Sequence, residues 1–65
     1  MSEIRSYYYF TGETVDGDFI DLETVNAITE ADAKDYAAKE LSYLGGGHID
    51  AFYTETDEFA FDVEI

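Results

Sequence analysis

The apolar positions of this chain switch between two periods. From Glu58 to Ile65 (EFAFDVEI) every second residue is apolar: Phe59, Phe61, Val63 and Ile65 share one face of an extended segment, and Glu58, Ala60, Asp62 and Glu64 share the other. Glu3 to Phe10 (EIRSYYYF) alternates similarly and is rich in aromatics, which predicts a first strand with Ile4, Tyr8 and Phe10 inward. Gly12 to Asp18 (GETVDGD) supplies two glycines and an Asp-Gly pair, turn chemistry that predicts a hairpin. The second strand follows at Phe19 to Thr24, with Ile20 and Leu22 on one side and Asp21 and Glu23 on the other. The apolar parity shifts at Val25, Ala27 and Ile28, which suggests a bulge there.

Between Thr29 and Leu44 the period becomes helical. Ala33, Ala37, Leu41 and Leu44 form one stripe, flanked by Tyr36 and Ala38. Thr29 is the expected N-cap, Glu30 and Asp32 suit the positive end of the helix dipole, and Gly45 to Gly47 end the helix. A third strand is expected at Gly47 to Thr54, and a turn around Glu55 to Asp57 leads into the final strand. Antiparallel partners on one face keep a constant index sum, and the alternative parity would bury His48 and Asp50. Ile49, Ala51 and Tyr53 are therefore placed inward, and Phe52 outward beside His48 and Asp50. An outward Phe among carboxylates is either a core residue beneath the helix or a contact residue.

These elements predict a single α+β domain over residues 1–65, with a four-stranded antiparallel sheet and one helix packed on one face, in the order ββαββ. The order of strands in the sheet stays open, including whether the first pairs with the fourth or lies at an edge.

Charge changes the picture more than size does. The 65 residues include 16 acids and 3 bases, for a net charge of −13. Such an imbalance is common in disordered segments, but 17% aromatic residues in regular alternation favour a folded core. Without cysteine, neither disulfide nor thiolate site staples the fold. Glu30 with Lys34, and Asp35 with Lys39, are i,i+4 pairs, so both lysines are spent on the helix. The uncompensated acid therefore belongs mainly to the strands and their loops. Acid surplus also speaks against direct binding to nucleic acid or an anionic membrane. The N-terminus lacks a basic region followed by an apolar run, and no stretch is long enough to span a bilayer, so a cytoplasmic protein is expected.

Other signals are weaker. His48 and Asp50 share one side of a strand, as an oriented base would, but no nucleophile accompanies them. Gly45 to Gly47 follow a helix instead of opening one, unlike a phosphate loop. Asp16, Asp18, Asp21 and Glu23 could attract a hard cation, yet EF-hand spacing is not met. Tyr7, Tyr8 and Tyr9 resemble a base-stacking platform without its basic surroundings. The expectation is therefore no enzyme, no cofactor and no metal.

The sign of the surface is the remaining signal, because self-repulsion destabilises a compact chain and so calls for another reason. Acids two apart on a strand, such as Asp21 with Glu23 or Asp62 with Glu64, stand about 6.6 Å apart, comparable to successive phosphates on an extended nucleic-acid backbone. A very small, cysteine-free, acidic domain with a tyrosine-rich core resembles phage-encoded DNA mimics, which include anti-restriction and anti-CRISPR proteins. The size and the Ser6-Tyr7-Tyr8-Tyr9-Phe10 opening resemble most a short anti-CRISPR protein acting on a type I effector complex, with type I-C as a candidate. That resemblance implies a non-catalytic inhibitor in the host bacterial cytoplasm, which competes for the DNA-binding surface of a nuclease or Cascade protein. The strand reading nominates Asp21, Glu23, Asp50, Phe52, Glu55, Asp57, Glu58, Asp62 and Glu64 as the partner-binding residues, with Tyr7 and Tyr9 as further contacts. The alternatives are an acidic module that binds another basic protein and, behind it, a divalent-cation-binding domain. A monomer or weak homodimer is expected.

Overall fold

The computed structural model describes residues 3–65 and contains β1 (Tyr8–Thr14), β2 (Phe19–Glu23), α1 (Glu30–Tyr43), β3 (Gly47–Tyr53) and β4 (Phe59–Glu64). The fold is α+β. All neighbouring strands run antiparallel in the order β2-β1-β3-β4, and α1 crosses β1, β3 and β4 on one face. Among the described residues, no helix is long and apolar enough to cross a membrane.

The core lies between sheet and helix. Tyr8, Phe10, Ile20, Ile49, Ala51 and Phe61 face Ala33, Ala37 and Leu41, all buried, with Leu22, Tyr53 and Val63 packed around them. Three of these residues are alanines without exposed surface. Their small side chains let helix and sheet approach closely, while Phe10, Leu41 and Ile49 fill the remaining volume.

The local chemistry explains the ends of the elements. Thr29 caps α1 by accepting the Asp32 amide at 3.2 Å. At the other end Leu44 is the C-cap, the Gly46 amide donates to the Leu41 carbonyl at 2.7 Å, and the Gly45 amide donates to Ser42 at 3.3 Å. This is a Schellman motif, and its left-handed residue is Gly45 at φ 89°. Leu44 thus leaves the predicted apolar stripe and is partly exposed. In the β1–β2 turn, buried Thr14 accepts the Asp18 amide through its hydroxyl, and Gly17 takes φ 90°.

Several expectations shift. The first strand begins at Tyr8, not Glu3, and continues through Gly12 to Thr14, leaving Ile4 exposed. No bulge forms at Val25 to Ile28; Ile28 instead exchanges backbone hydrogen bonds with Ser6 and extends the β1–β2 pairing as a bridge. The bulge lies in β4. Phe61 pairs with Ala51 but Phe59 pairs with Phe52, so Ala60 is an extra residue and the parity reverses on its N-terminal side. Phe59, expected inward, therefore faces outward and is 55% exposed. Ile65, also expected inward, lies past the strand end, exposed, and exchanges backbone hydrogen bonds with Gly47.

Candidate functional site on the outer face of the sheet

Among the described residues no element covers the face opposite α1, and the strand registers order it into three rows. The row nearest the β3–β4 loop runs Glu23, Tyr9, Phe52, Phe59. The next runs Asp21, Thr11, Asp50, Asp62, and the last Phe19, Glu13, His48, Glu64. Neighbours within a row are about 4.8 Å apart, and rows are separated by about 6.6 Å along the strands. The face thus carries Glu13, Asp21, Glu23, Asp50, Asp62 and Glu64.

No Lys or Arg joins them. Arg5 pairs with Glu3 at 3.0 Å ahead of β1, and on the helix Lys34 pairs with Glu30 at 3.1 Å and Lys39 with Asp35 at 3.0 Å, all among exposed side chains. The Lys34 ammonium also lies 5.7 Å from the centre of the Phe61 ring, on the helix side of the sheet. Among the described residues, the only basic nitrogens on the face belong to His48. Its Nε2 lies 3.2 Å from Asp50 Oδ1 and 3.2 Å from Asp62 Oδ2.

The first row is aromatic. Tyr9 stacks on Phe52 with ring centres 5.1 Å apart and an 18° interplanar angle, and Phe59 meets Phe52 edge-on at 5.8 Å. Phe52 is therefore outward and half-buried, a surface aromatic packed among its neighbours and not part of the core. Partial burial raises the Tyr9 pKa above the ordinary phenol value, and the neighbouring Asp57 carboxylate raises it further by favouring the neutral hydroxyl.

Six of the nine nominated residues therefore meet on one surface: Asp21, Glu23, Asp50, Phe52, Asp62 and Glu64. Glu55, Asp57 and Glu58 do not lie on a strand face. They belong to the loop that continues past the aromatic row, where Asp57 turns the chain at φ 62° and reaches toward Tyr9. Glu55 and Glu58 instead border a depression at the end of the sheet, beside Arg5 and Tyr7. Sequence reasoning left out Glu13, Phe19 and Phe59. Glu13 was hidden by Gly12, which resembles the start of a turn; continuing the Tyr8, Phe10 alternation to Thr14 would have placed Glu13 outward. Asp16, Asp18, Asp21 and Glu23 do not form a cation cluster; among the described residues the one group with metal-ligand spacing is His48, Asp50 and Asp62.

No family model matches the chain, and neither a curated protein nor a solved structure matches it.

Proposed function

We propose that this chain is a non-catalytic inhibitor whose outer sheet face imitates DNA phosphate charge and competes for the DNA-binding surface of a type I CRISPR effector complex, with type I-C as the first candidate. The observation that carries this reading is the segregation of charge: six carboxylates stand in register on one uncovered face, and every lysine and arginine is paired elsewhere. Cross-strand and along-strand spacings of about 4.8 and 6.6 Å give this face a charge density suited to a groove lined with Lys and Arg. The aromatic row adds apolar area, with Tyr and Phe favoured where one protein docks on another. Asp57, beside Tyr9, extends the acidic surface around the loop end.

Electrostatic attraction of this kind speeds association and weakens as salt rises. The test is competition between this protein and target duplex for a purified type I-C effector complex. Wild-type chain should block duplex binding, and the double reversal D62K/E64K should lose most of that block; unchanged inhibition by the double variant would remove the outer face from the contact. The second reading, an acidic module for a different basic protein, shares the same face and the same support from the aromatic row. It predicts a partner that duplex DNA does not displace.

A further inference from the structure

Asp50 and Asp62 sit directly opposite each other on β3 and β4, and His48 lies on the same face two residues before Asp50. Like charges in a directly opposed pair destabilise a sheet. One imidazole nitrogen is turned toward both carboxylates: Nε2 is 3.2 Å from each. A neutral imidazole has at most one proton on that nitrogen and can donate to only one of them. The other carboxylate gains no donor from it, and no Lys or Arg pairs with either acid among the described residues.

A bound cation could be shared by all three side chains at once. One donor atom from each of the three side chains lies within 4.8 Å of the others. Metal–nitrogen and metal–oxygen bonds of about 2.0–2.1 Å at a tetrahedral ion place donors about 3.3 Å apart, close to the two separations found here. The three side chains are partly open to solvent, at 43% for His48, 37% for Asp50 and 61% for Asp62, so an ion can enter without the fold opening. A nitrogen with two carboxylate oxygens suits a borderline first-row divalent ion, whereas calcium and magnesium prefer oxygen alone.

We infer that His48, Asp50 and Asp62 form a surface binding site for a divalent transition-metal ion of the zinc class, held across β3 and β4. The inference shares Asp50 and Asp62 with the proposed inhibitor face but does not rest on that function, because its test is made on the isolated chain.

The experiment is calorimetric titration of the metal-free protein with zinc in the presence of excess magnesium, which fills the diffuse acidic atmosphere. The expected result is one zinc per chain, with affinity reduced at least tenfold in H48Q and in D62N but unchanged in D16N, a carboxylate outside the cluster. Circular dichroism verifies that each variant is folded, and cobalt as a second probe should give the intense visible absorption of a four-coordinate ion with wild type and lose it in H48Q. Absence of zinc binding, full competition by magnesium, or equal zinc affinity in wild type and H48Q would overturn the site.

Discussion

Tyr8 and Tyr9 are adjacent in sequence and lie on opposite faces of β1, and their surroundings separate the two halves of this molecule. Tyr8 is buried among Phe10, Tyr53 and Phe61, with ring centres 5.3 to 6.4 Å away. Tyr9 is stacked on Phe52 between acids and keeps one side open to solvent. Both sides hold aromatics; only the inner one is closed by a helix. The strands thus use one alternation for two ends: apolar area removed from water on the inside, and carboxylates that oppose compaction held in register on the outside.

The largest test of this contrast is truncation of matched phenylalanines. Phe10→Ala should cost about 3–5 kcal/mol, enough to unfold much of a domain of this size, because Phe10 is fully buried. Phe52→Ala should cost about 1 kcal/mol, the scale of a surface aromatic pair. Urea unfolding of the two variants measures the difference; equal costs would make the outer row part of the core.

Next is Gly12→Ala. A β-carbon at Gly12 would strike the His48 carbonyl and crowd Ile49 Cα at 2.9 Å on β3. The expected cost is about 1–3 kcal/mol, by the same denaturation assay, with both faces disturbed because the β1–β3 pairing itself must shift.

Alkaline pH should distinguish the two tyrosines. Burial is the main cause that raises the Tyr8 pKa, with Tyr53 and Glu30 adding to it. The unfolded chain then releases its phenolic proton first, so stability is intact below the ordinary tyrosine value of about 10 and falls as pH rises past it. Tyr8→Phe should flatten that alkaline loss relative to wild type, and Tyr9→Phe should flatten it less, as monitored by unfolding midpoints across the alkaline range.

The smallest effect should come from the helix. Lys39→Ala breaks an exposed pair with Asp35 and should cost about 0.2–0.5 kcal/mol, shrinking further with salt in thermal unfolding.

Much of the inner face could be read directly from the sequence. Thr29, the Ala33–Ala37–Leu41 stripe and Gly45 mark the helix through caps and a helical period, and Ile20, Ile49, Ala51 and Phe61 follow from strict alternation. The outer face was legible only as a list of acids. Their grouping depends on which strands are neighbours, and local patterns carry little of that long-range choice. The even alternation of Phe59, Phe61 and Val63 hid the extra residue, because a bulge leaves no polar marker when the inserted residue is alanine. Glu13 was obscured for the opposite reason: Gly12 resembles a turn residue, yet it sits within a strand where another backbone passes too close for a side chain.

Ala60 also separates the length of β4 from its phase. With Phe61 opposite Ala51 and Phe59 opposite Phe52, the ladder spends one residue that pairs with nothing. Deleting Ala60 would let Phe59 take the next rung in an unbroken ladder and still face outward, with Asp62 and Glu64 unmoved. Ala60 is therefore a local insertion that the loop does not feel: its removal would erase the bulge, while the Phe59–Phe52 rung, the loop before it and every outward side chain of β4 kept their places.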